Sequence, residues 1–454
     1  MALKAALLSL GCKVNSYETE KIREDMVKSG FEIVDFSEKA DVYIVNTCSV
    51  TNIADRKSRQ MLHKAKSLNP DALVVATGCY VQTSEKDEKL LETTDIIIGN
   101  NYKGRVTELI LSRLSEKAGS VMLIDDIAKE KEIEEYSIND YPERSRAFVR
   151  IEDGCNQFCT YCIIPYARGR VRSRKEEEIL KEIEDLAEKG FKEVVLTGIH
   201  ISSYGIKDYE TGVLPQNEIG IRLKDWNPDP LLNLVRKIGL IDGIERIRLG
   251  SLEPRIITKE FALGLKDVKS FCPHFHLSLQ SGCDTVLKRM NRHYTSDDFL
   301  ERCDVLRSVF DRPALTTDVI VGFPGETEEE FEKSFEMLKK AKFSKMHIFK
   351  YSRRKGTVAD RMSGQLTEKV KHARSLILQE LDSRMRYDYA SSFINEKVRV
   401  LIEEENEESI SGLTERYQNV QIRKNDKSGF INEIVEAKIT GVSEEGILIS
   451  DGLC

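Results

Sequence analysis

The segment "AFVRIEDGCNQFCTYC" (147–162) places an apolar, strand-like run directly before three closely spaced cysteines. Cys155, Cys159 and Cys162 follow C-x3-C-x2-C spacing, so three thiolates crowd one short loop. Cysteine is the usual ligand of iron–sulfur clusters, and thiolates this close together can chelate several irons. Three ligands for a four-iron cluster leave one iron open to a group the protein does not supply. Zinc is the main alternative for such a loop, but structural zinc prefers four ligands in paired C-x2-C units.

On both sides of that loop, strand and helix patterns alternate. From Phe148 onward the strand candidates are "AFVRIEDG", "EVVLTGI", "RIRLGSL", "HFHLSLQ", "LTTDVIVGF" and "KMHIFKY". They alternate with amphipathic stretches such as "SRKEEEILKEIEDLAEKG" and "TEEEFEKSFEMLKKA". The latter opens with a capping box, Thr327 and Glu330. Six βα units predict an open, partial (β/α)6 barrel rather than a closed eight-fold one. A helix over about 367–392 follows, and then short strands with turn residues that read as a small β-barrel. Upstream, "KAALLSL" (4–10), "DVYIVNT" (41–47), "ALVVATG" (72–78) and "DIIIG" (95–99) alternate with helical patterns, which predicts a parallel, Rossmann-like sheet. The charged, core-poor stretch "AKEKEIEEYSINDYPERS" (128–145) reads as a linker. The expectation is therefore an α/β chain of three domains, 1–127, 146–384 and 385–454, with the linker after the first.

Composition agrees with that division. Of 454 residues, 40% are hydrophobic and 32% charged, the make-up of a soluble globular protein. The apolar run near the N-terminus is too short for a membrane span and lacks a cleavage site, so the chain is expected in the cytoplasm with no membrane partner. Ten cysteines there point to metal or redox chemistry rather than disulfides. A net charge of −7 argues against a general nucleic-acid coat but leaves room for a local basic face.

Cys12, Cys48 and Cys79 are separated by 35 and 30 intervening residues, too far apart for a linear motif. Each nevertheless stands just past the end of a strand candidate: "LLSLGC", "YIVNTC", "VVATGC". The strands of a parallel sheet end on one edge, where ligands gather, so the three thiols can converge on a second cluster. Cys272, Cys283, Cys303 and Cys454 lack that context and read as structural, as do His200, His274 and His293.

The C-x3-C-x2-C spacing, with Tyr161 before its third cysteine, resembles the signature of the radical S-adenosylmethionine superfamily. With both triads in view, the whole chain resembles the methylthiotransferases of that superfamily, including a C-terminal RNA-binding β-barrel of the TRAM type. "LGCKVNSYET" and "NTCSVTNIADRKSRQ" are most similar to the branch acting on N6-threonylcarbamoyladenosine beside the tRNA anticodon. The isopentenyladenosine branch has glutamine and methionine where this chain has Lys13 and Val14. The resemblance implies two [4Fe-4S] clusters and S-adenosylmethionine as radical source and methyl donor. The Cys155/Cys159/Cys162 cluster would hold and cleave S-adenosylmethionine, and the resulting radical would take the hydrogen from adenine C2. The Cys12/Cys48/Cys79 cluster would carry and deliver the methylthio group. It also implies a tRNA anticodon stem-loop and a reduced flavodoxin- or ferredoxin-like protein as partners. The same chemistry on isopentenyladenosine or a ribosomal protein stays open, as does a two-cluster electron-transfer or RNA-binding protein without radical chemistry.

Polar residues at strand ends are candidates for cofactor binding: Tyr161, Thr197, Gly198, Ser251, Glu253, Gln280 and Asp318. In "HFHLSLQ", His276, Ser278 and Gln280 share one strand face, which predicts a lined cavity. "ARGRVRSR" sets Arg168, Arg170, Arg172 and Arg174 at every second residue, a pattern suited to phosphates if extended. "YSRRKGT" (351–357) departs from the family's usual proline-containing form. From Arg386 to Cys454 there are 8 Lys+Arg against 14 Asp+Glu, an unusual balance for an RNA-binding barrel. Only Arg416, Arg423, Lys424 and Lys427 cluster there, with Tyr417 expected to stack on a base.

Overall fold

The computed structural model describes residues 2–84, 87–116, 120–138, 141, 145–206, 227–424 and 429–454. Its first sheet has six parallel strands: β1 (Lys4–Ser9), β2 (Glu32–Val34), β3 (Val42–Thr47), β4 (Leu73–Gly78), β5 (Ile96–Ile98) and β6 (Val121–Leu123). They lie in the order β2-β1-β3-β4-β5-β6, so the three strands that precede Cys12, Cys48 and Cys79 are adjacent. Alternate residues go to opposite faces. Ala6, Tyr43, Val45 and Val74 pack with Leu62 and Ala65 of helix α2 (Asn52–Leu68). Ala5, Val42, Ile44 and Val75 pack with Ile22 and Met26 of helix α1 (Lys13–Lys28). Both faces are covered, which is why β3 and β4 read as unbroken apolar runs. The short strands β2 and β6 have only three residues each, too few to show a period in sequence.

In the central unit, β7 (Arg146–Arg150), β10 (Glu193–Thr197) and β11 (Arg246–Leu249) form one parallel sheet. β12 (Ser251–Leu252), β13 (His274–Gln280), β14 (Ala314–Val321) and β15 (Lys345–Lys350) form another, joined to the first by a parallel bridge between Ile247 and Phe271. No pairing closes β15 onto β7 among the described residues, so the barrel is open. A two-residue hairpin of β8 (Glu152–Asp153) and β9 (Arg172–Ser173) clasps the base of the cysteine loop. Helices cover the outer face: Phe275, Leu277, Leu279 and Leu315 join the main core, while His276, Ser278, Gln280 and Asp318 face inward and stay partly open to water. The polar inner face thus lines a chamber, as the alternation of "HFHLSLQ" predicts. Thr327 and Glu330 form the expected capping box.

The long helix Glu368–Ser391 leads to β16 (Lys397–Glu405), β17 (Ser409–Thr414), β18 (Asn419–Arg423), β19 (Ile434–Lys438), β20 (Gly441–Val442) and β21 (Leu448–Ser450). Their order is β19-β16-β17-β18-β21-β20, and a bridge from Ala437 to Leu453 curls the sheet back on itself. The charged stretch 128–145 is not core-poor: Ile133, Ile138 and Tyr141 are buried, and the Ile138 amide donates to Glu182 at 2.9 Å. Its anchors have no helical or strand period and are masked by the charged residues around them; residues 139, 140 and 142–144 lie outside the described ones. Among the described residues no helix is long and apolar enough to cross a membrane.

Candidate active site

Three cysteines leave the edge of the first sheet together. Gly11 and Gly78, each directly before a cysteine, both have φ of +101°, a conformation that favours glycine. A Cβ on Gly11 would come within 2.7 Å of the Cys48 sulfur, so the Cys48 side chain lies against the Cys12 turn. Cys12 then caps α1, and Cys79 opens the short helix α3 (Cys79–Thr83). Asn15 ties two of the turns together by donating to the Leu10 and Thr47 carbonyls at 2.7 and 3.0 Å. Burial pushes the Cys48 thiol up to about 11, and the neighbouring Cys79 and Cys12 sulfurs add to the rise. Cys12 is raised by the surrounding protein as well, and by Cys79, although water reaches its side chain and Arg168 opposes the shift.

The second triad is local. The Cys155 amide donates to the Gly169 carbonyl at 3.1 Å, and Cys162 to Cys159 at 2.9 Å. Phe158 between them adopts φ of 49°, and Thr160 anchors the loop on the Arg289 and Met290 carbonyls. Arg292 reaches the Cys159 sulfur at 3.4 Å. Burial raises Cys155 well above the ordinary thiol range, helped by Cys159 and Cys162. It pushes Cys162 up to about 12, with Cys159 the next cause; Cys162 also feels Cys79 across the gap between the triads. Mutually raised thiols suit a cationic iron–sulfur core, which deprotonates its ligands outright. Among the described residues no three such groups converge on a single-ion site; a four-iron cluster holds its thiolates on separate irons.

Arg168 ties the helical turn that follows the loop triad to the strand-edge triad. It is fully buried, and its Nε donates to the Cys79 sulfur at 3.3 Å. Its remaining donors go to Asn15, Asp153 at 3.3 Å and Glu18 at 3.0 Å. Lys103 also bonds Glu18. Burial alone would raise the Glu18 carboxyl, but Arg168 and Lys103 outweigh it and hold the carboxyl below the usual range. The expectation that four arginines present themselves to phosphate is therefore corrected for three of them. Arg168 closes a helical turn (Ile164–Arg168) instead of an extended run, Arg172 is buried with its guanidinium on the Arg168 carbonyl, and Arg174 is buried against Glu182 and Glu135. Arg170 alone is exposed, 4.4 Å over the Phe158 ring.

The cofactor candidates divide in the same way. Tyr161 packs against the apolar cluster of Val286, Met290, Phe323 and Tyr351, Thr197 is buried at the end of β10, and a Cβ on Gly198 would strike the Glu152 carboxylate at 2.7 Å. Glu152 is itself buried, and its Oε1 has no hydrogen-bond partner among the described residues, a polar atom left free for a guest. Ser251 meets Ser278 at 2.8 Å, Gln280 stands at the β13 bulge, and Asp318 bonds His276 at 3.1 Å; all three face the chamber. Glu253 is the exception: it is buried and held by Arg255 and Arg292, each at 2.9 Å. It positions Arg292 beside Cys159 and is not free to grip a cofactor.

The C-terminal candidates are also engaged within the protein. Arg416 donates to the Arg312 and Asp311 carbonyls, and Lys424 pairs with Glu405 at 2.8 Å. Lys427 lies outside the described residues. Tyr417, expected to stack on a base, stacks on His274 at 4.8 Å and accepts from Arg146 at 2.8 Å, closing the chamber floor. Sequence reading also missed Glu18, Lys103, Arg292 and Arg354; the last bonds Ser49, Asn52 and Asp55 beside Cys48. Each pairs with residues tens to hundreds of positions away, and no local pattern marks it.

Residues 149–338 match the radical SAM superfamily model, and residues 4–99 match the uncharacterized protein family UPF0004. The chain is 40% identical to the threonylcarbamoyladenosine tRNA methylthiotransferase MtaB of Bacillus subtilis (strain 168), over 96% of this chain and 93% of that one. It is 34% identical to the tRNA-2-methylthio-N(6)-dimethylallyladenosine synthase of Thermoanaerobacter sp. (strain X514), over 95% and 88%. Among solved structures, the radical S-adenosylmethionine methyltransferase TsrM of Kitasatospora setae shares the fold, with a TM-score of 0.50 at 15% identity over 77% of this chain and 73% of that one.

Proposed function

This chain belongs to the radical S-adenosylmethionine methylthiotransferase family, of the MtaB type, and on that premise we propose that it methylthiolates C2 of N6-threonylcarbamoyladenosine beside the tRNA anticodon. The observation that carries the reading is the approach of two cysteine triads, bridged by Arg168 from the end of the loop helix to the Cys79 sulfur. Cys155, Cys159 and Cys162 would hold one [4Fe-4S] cluster, with S-adenosylmethionine lodged between it and the polar strand ends at Thr197, Gly198, Ser251, Gln280 and Asp318. Cys12, Cys48 and Cys79 would hold the other, which carries the sulfur. When bound and reduced, these groups supply the radical chemistry that a strong aromatic C–H bond demands and that no acid or base of the protein provides.

The chain's own residues hold and orient. Arg292 and Arg168 each direct a charged donor at a cysteine sulfur, which favours the thiolate and fixes its direction. The inner faces of β13 and β14 offer hydrogen-bonding groups to a base. The C-terminal sheet, read as the TRAM domain, and the exposed Arg170 would meet the RNA backbone; a small reduced electron carrier completes the set of partners. Mass spectrometry of tRNA nucleosides from a deletion strain tests the substrate. Unmethylthiolated threonylcarbamoyladenosine should accumulate; a change confined to isopentenyladenosine, or to a ribosomal protein, overturns the assignment.

A further inference from the structure

Lys13 follows Cys12 directly, yet its side chain leaves the cysteines and runs into the chamber. Its ammonium lies 5.8 Å from the Phe148 ring centre and 5.7 Å from that of Tyr417. Among the described residues no acceptor or carboxylate bonds it. The surrounding floor already has more cations than anions: Arg146, Arg246 and Arg248 share Glu193 and Glu403. Those arginines are spent on protein acceptors, Arg248 on Glu193 and on the Thr414 and Glu415 carbonyls, and Arg246 on the Leu413 and Arg399 carbonyls. Arg246 leaves only its Nε unpaired, whereas Lys13 is the one cation among these floor residues with no hydrogen-bonded acceptor at all, and an ammonium held against aromatic faces is placed to receive an anionic guest.

We propose that the Lys13 ammonium binds the carboxylate of the threonylcarbamoyl group, and so selects a base whose N6 substituent is charged over one whose substituent is apolar. The inference rests on the threonylcarbamoyladenosine reading. On adenine, C2 and the N6 substituent project from different ring atoms, so a base that turns C2 toward Cys12, Cys48 and Cys79 sends its N6 group away from them. Lys13 likewise starts beside Cys12 and carries its ammonium to the Tyr417 and Phe148 rings. The methionine carboxylate of S-adenosylmethionine is the other source of the same chemistry, and the test separates the two.

The measurement is binding of anticodon stem-loop RNA to the reconstituted holoenzyme, wild type and Lys13→Gln. The adenosine is threonylcarbamoylated, threonylcarbamoylated as its methyl ester, or unmodified. Wild type should prefer the free acid to the ester by at least about tenfold, the worth of one charge-assisted bond. Lys13→Gln should lose that preference and leave the ester and unmodified RNA unchanged, and Lys13→Arg should restore part of it. Equal wild-type affinity for acid and ester overturns the proposal without any variant, so a poorly folded variant does not protect it. Uniform weakening of all three RNAs by Lys13→Gln overturns it too. Loss of RNA-independent S-adenosylmethionine cleavage in that variant, at normal iron content, assigns Lys13 to the other carboxylate and also overturns it. Failure of the underlying reading shows differently, as wild-type methylthiolation of isopentenyl RNA and not of the threonylcarbamoyl RNA.

Discussion

The two cysteine triads are built on opposite plans. One occupies eight consecutive residues, and its loop is pinned by its own barrel through Thr160, Arg292 and the β8–β9 hairpin. The other is collected from three strand ends of a different unit and leans on the barrel through Arg168, which bonds Cys79 and the Glu18 carboxylate that Lys103 also holds. The difference teaches that one triad is a local feature of a single loop and the other is a property of how two units dock. Damage to the docking should therefore reach the strand-edge triad first.

The largest effect that would test this contrast comes from removing the strand-edge thiols. Cys12→Ala with Cys48→Ala and Cys79→Ala should abolish methylthiolation and lower iron and sulfide to roughly half, while S-adenosylmethionine cleavage survives. Parallel loss of both activities would erase the division of labour between the triads. Next is Glu18→Gln, which leaves the Arg168 and Lys103 charges buried without their shared carboxylate. The cost should be about 3–5 kcal/mol in unfolding experiments, with iron lost from the strand-edge triad before the loop triad. The same carboxyl sets an acid limit. Its folded pKa lies below its unfolded value of about 4.3, so its stabilisation is complete above that value and disappears as pH falls through the folded one. Acid titration of Glu18→Gln should therefore lack the low-pH loss that wild type shows. The smallest effect is Arg170→Ala. This exposed cation over Phe158 should change stability by no more than about 1 kcal/mol, yet weaken RNA binding with a reduced salt dependence.

The same contrast explains what could be read from the chain. The loop triad is legible because its cysteines are neighbours in sequence. The strand-edge triad is legible only once "LLSLGC", "YIVNTC" and "VVATGC" are seen as three ends of one parallel sheet. The inner face of β13 was visible because strand alternation is strict. What failed did so where alternation was assumed without a strand. Residues 168–174 looked extended, but Ile164–Arg168 is helical and only Arg172–Ser173 pairs as strand, so three of the four arginines turn inward. Tyr417 and Arg416 look like surface RNA contacts in a short β-rich segment. Only the docked structure shows a ring on His274 and a guanidinium on the Asp311 and Arg312 carbonyls. Glu18 is a helix residue among several acids until Arg168, 150 positions later, arrives beside it.

Tyr417 and the arginines beneath it carry one more consequence. Arg246 and Arg248 fasten the barrel to four carbonyls of the C-terminal sheet, and Tyr417 closes the bottom of the space where a base would sit. The last sheet is therefore not a portable handle that relatives can trade freely. A chimera that imports another family member's C-terminal segment also imports its floor, and with it a different depth and charge for the pocket. Inheritance of the two parts must be coupled, with the strand starts of the barrel and the β17–β18 turn changing together or not at all.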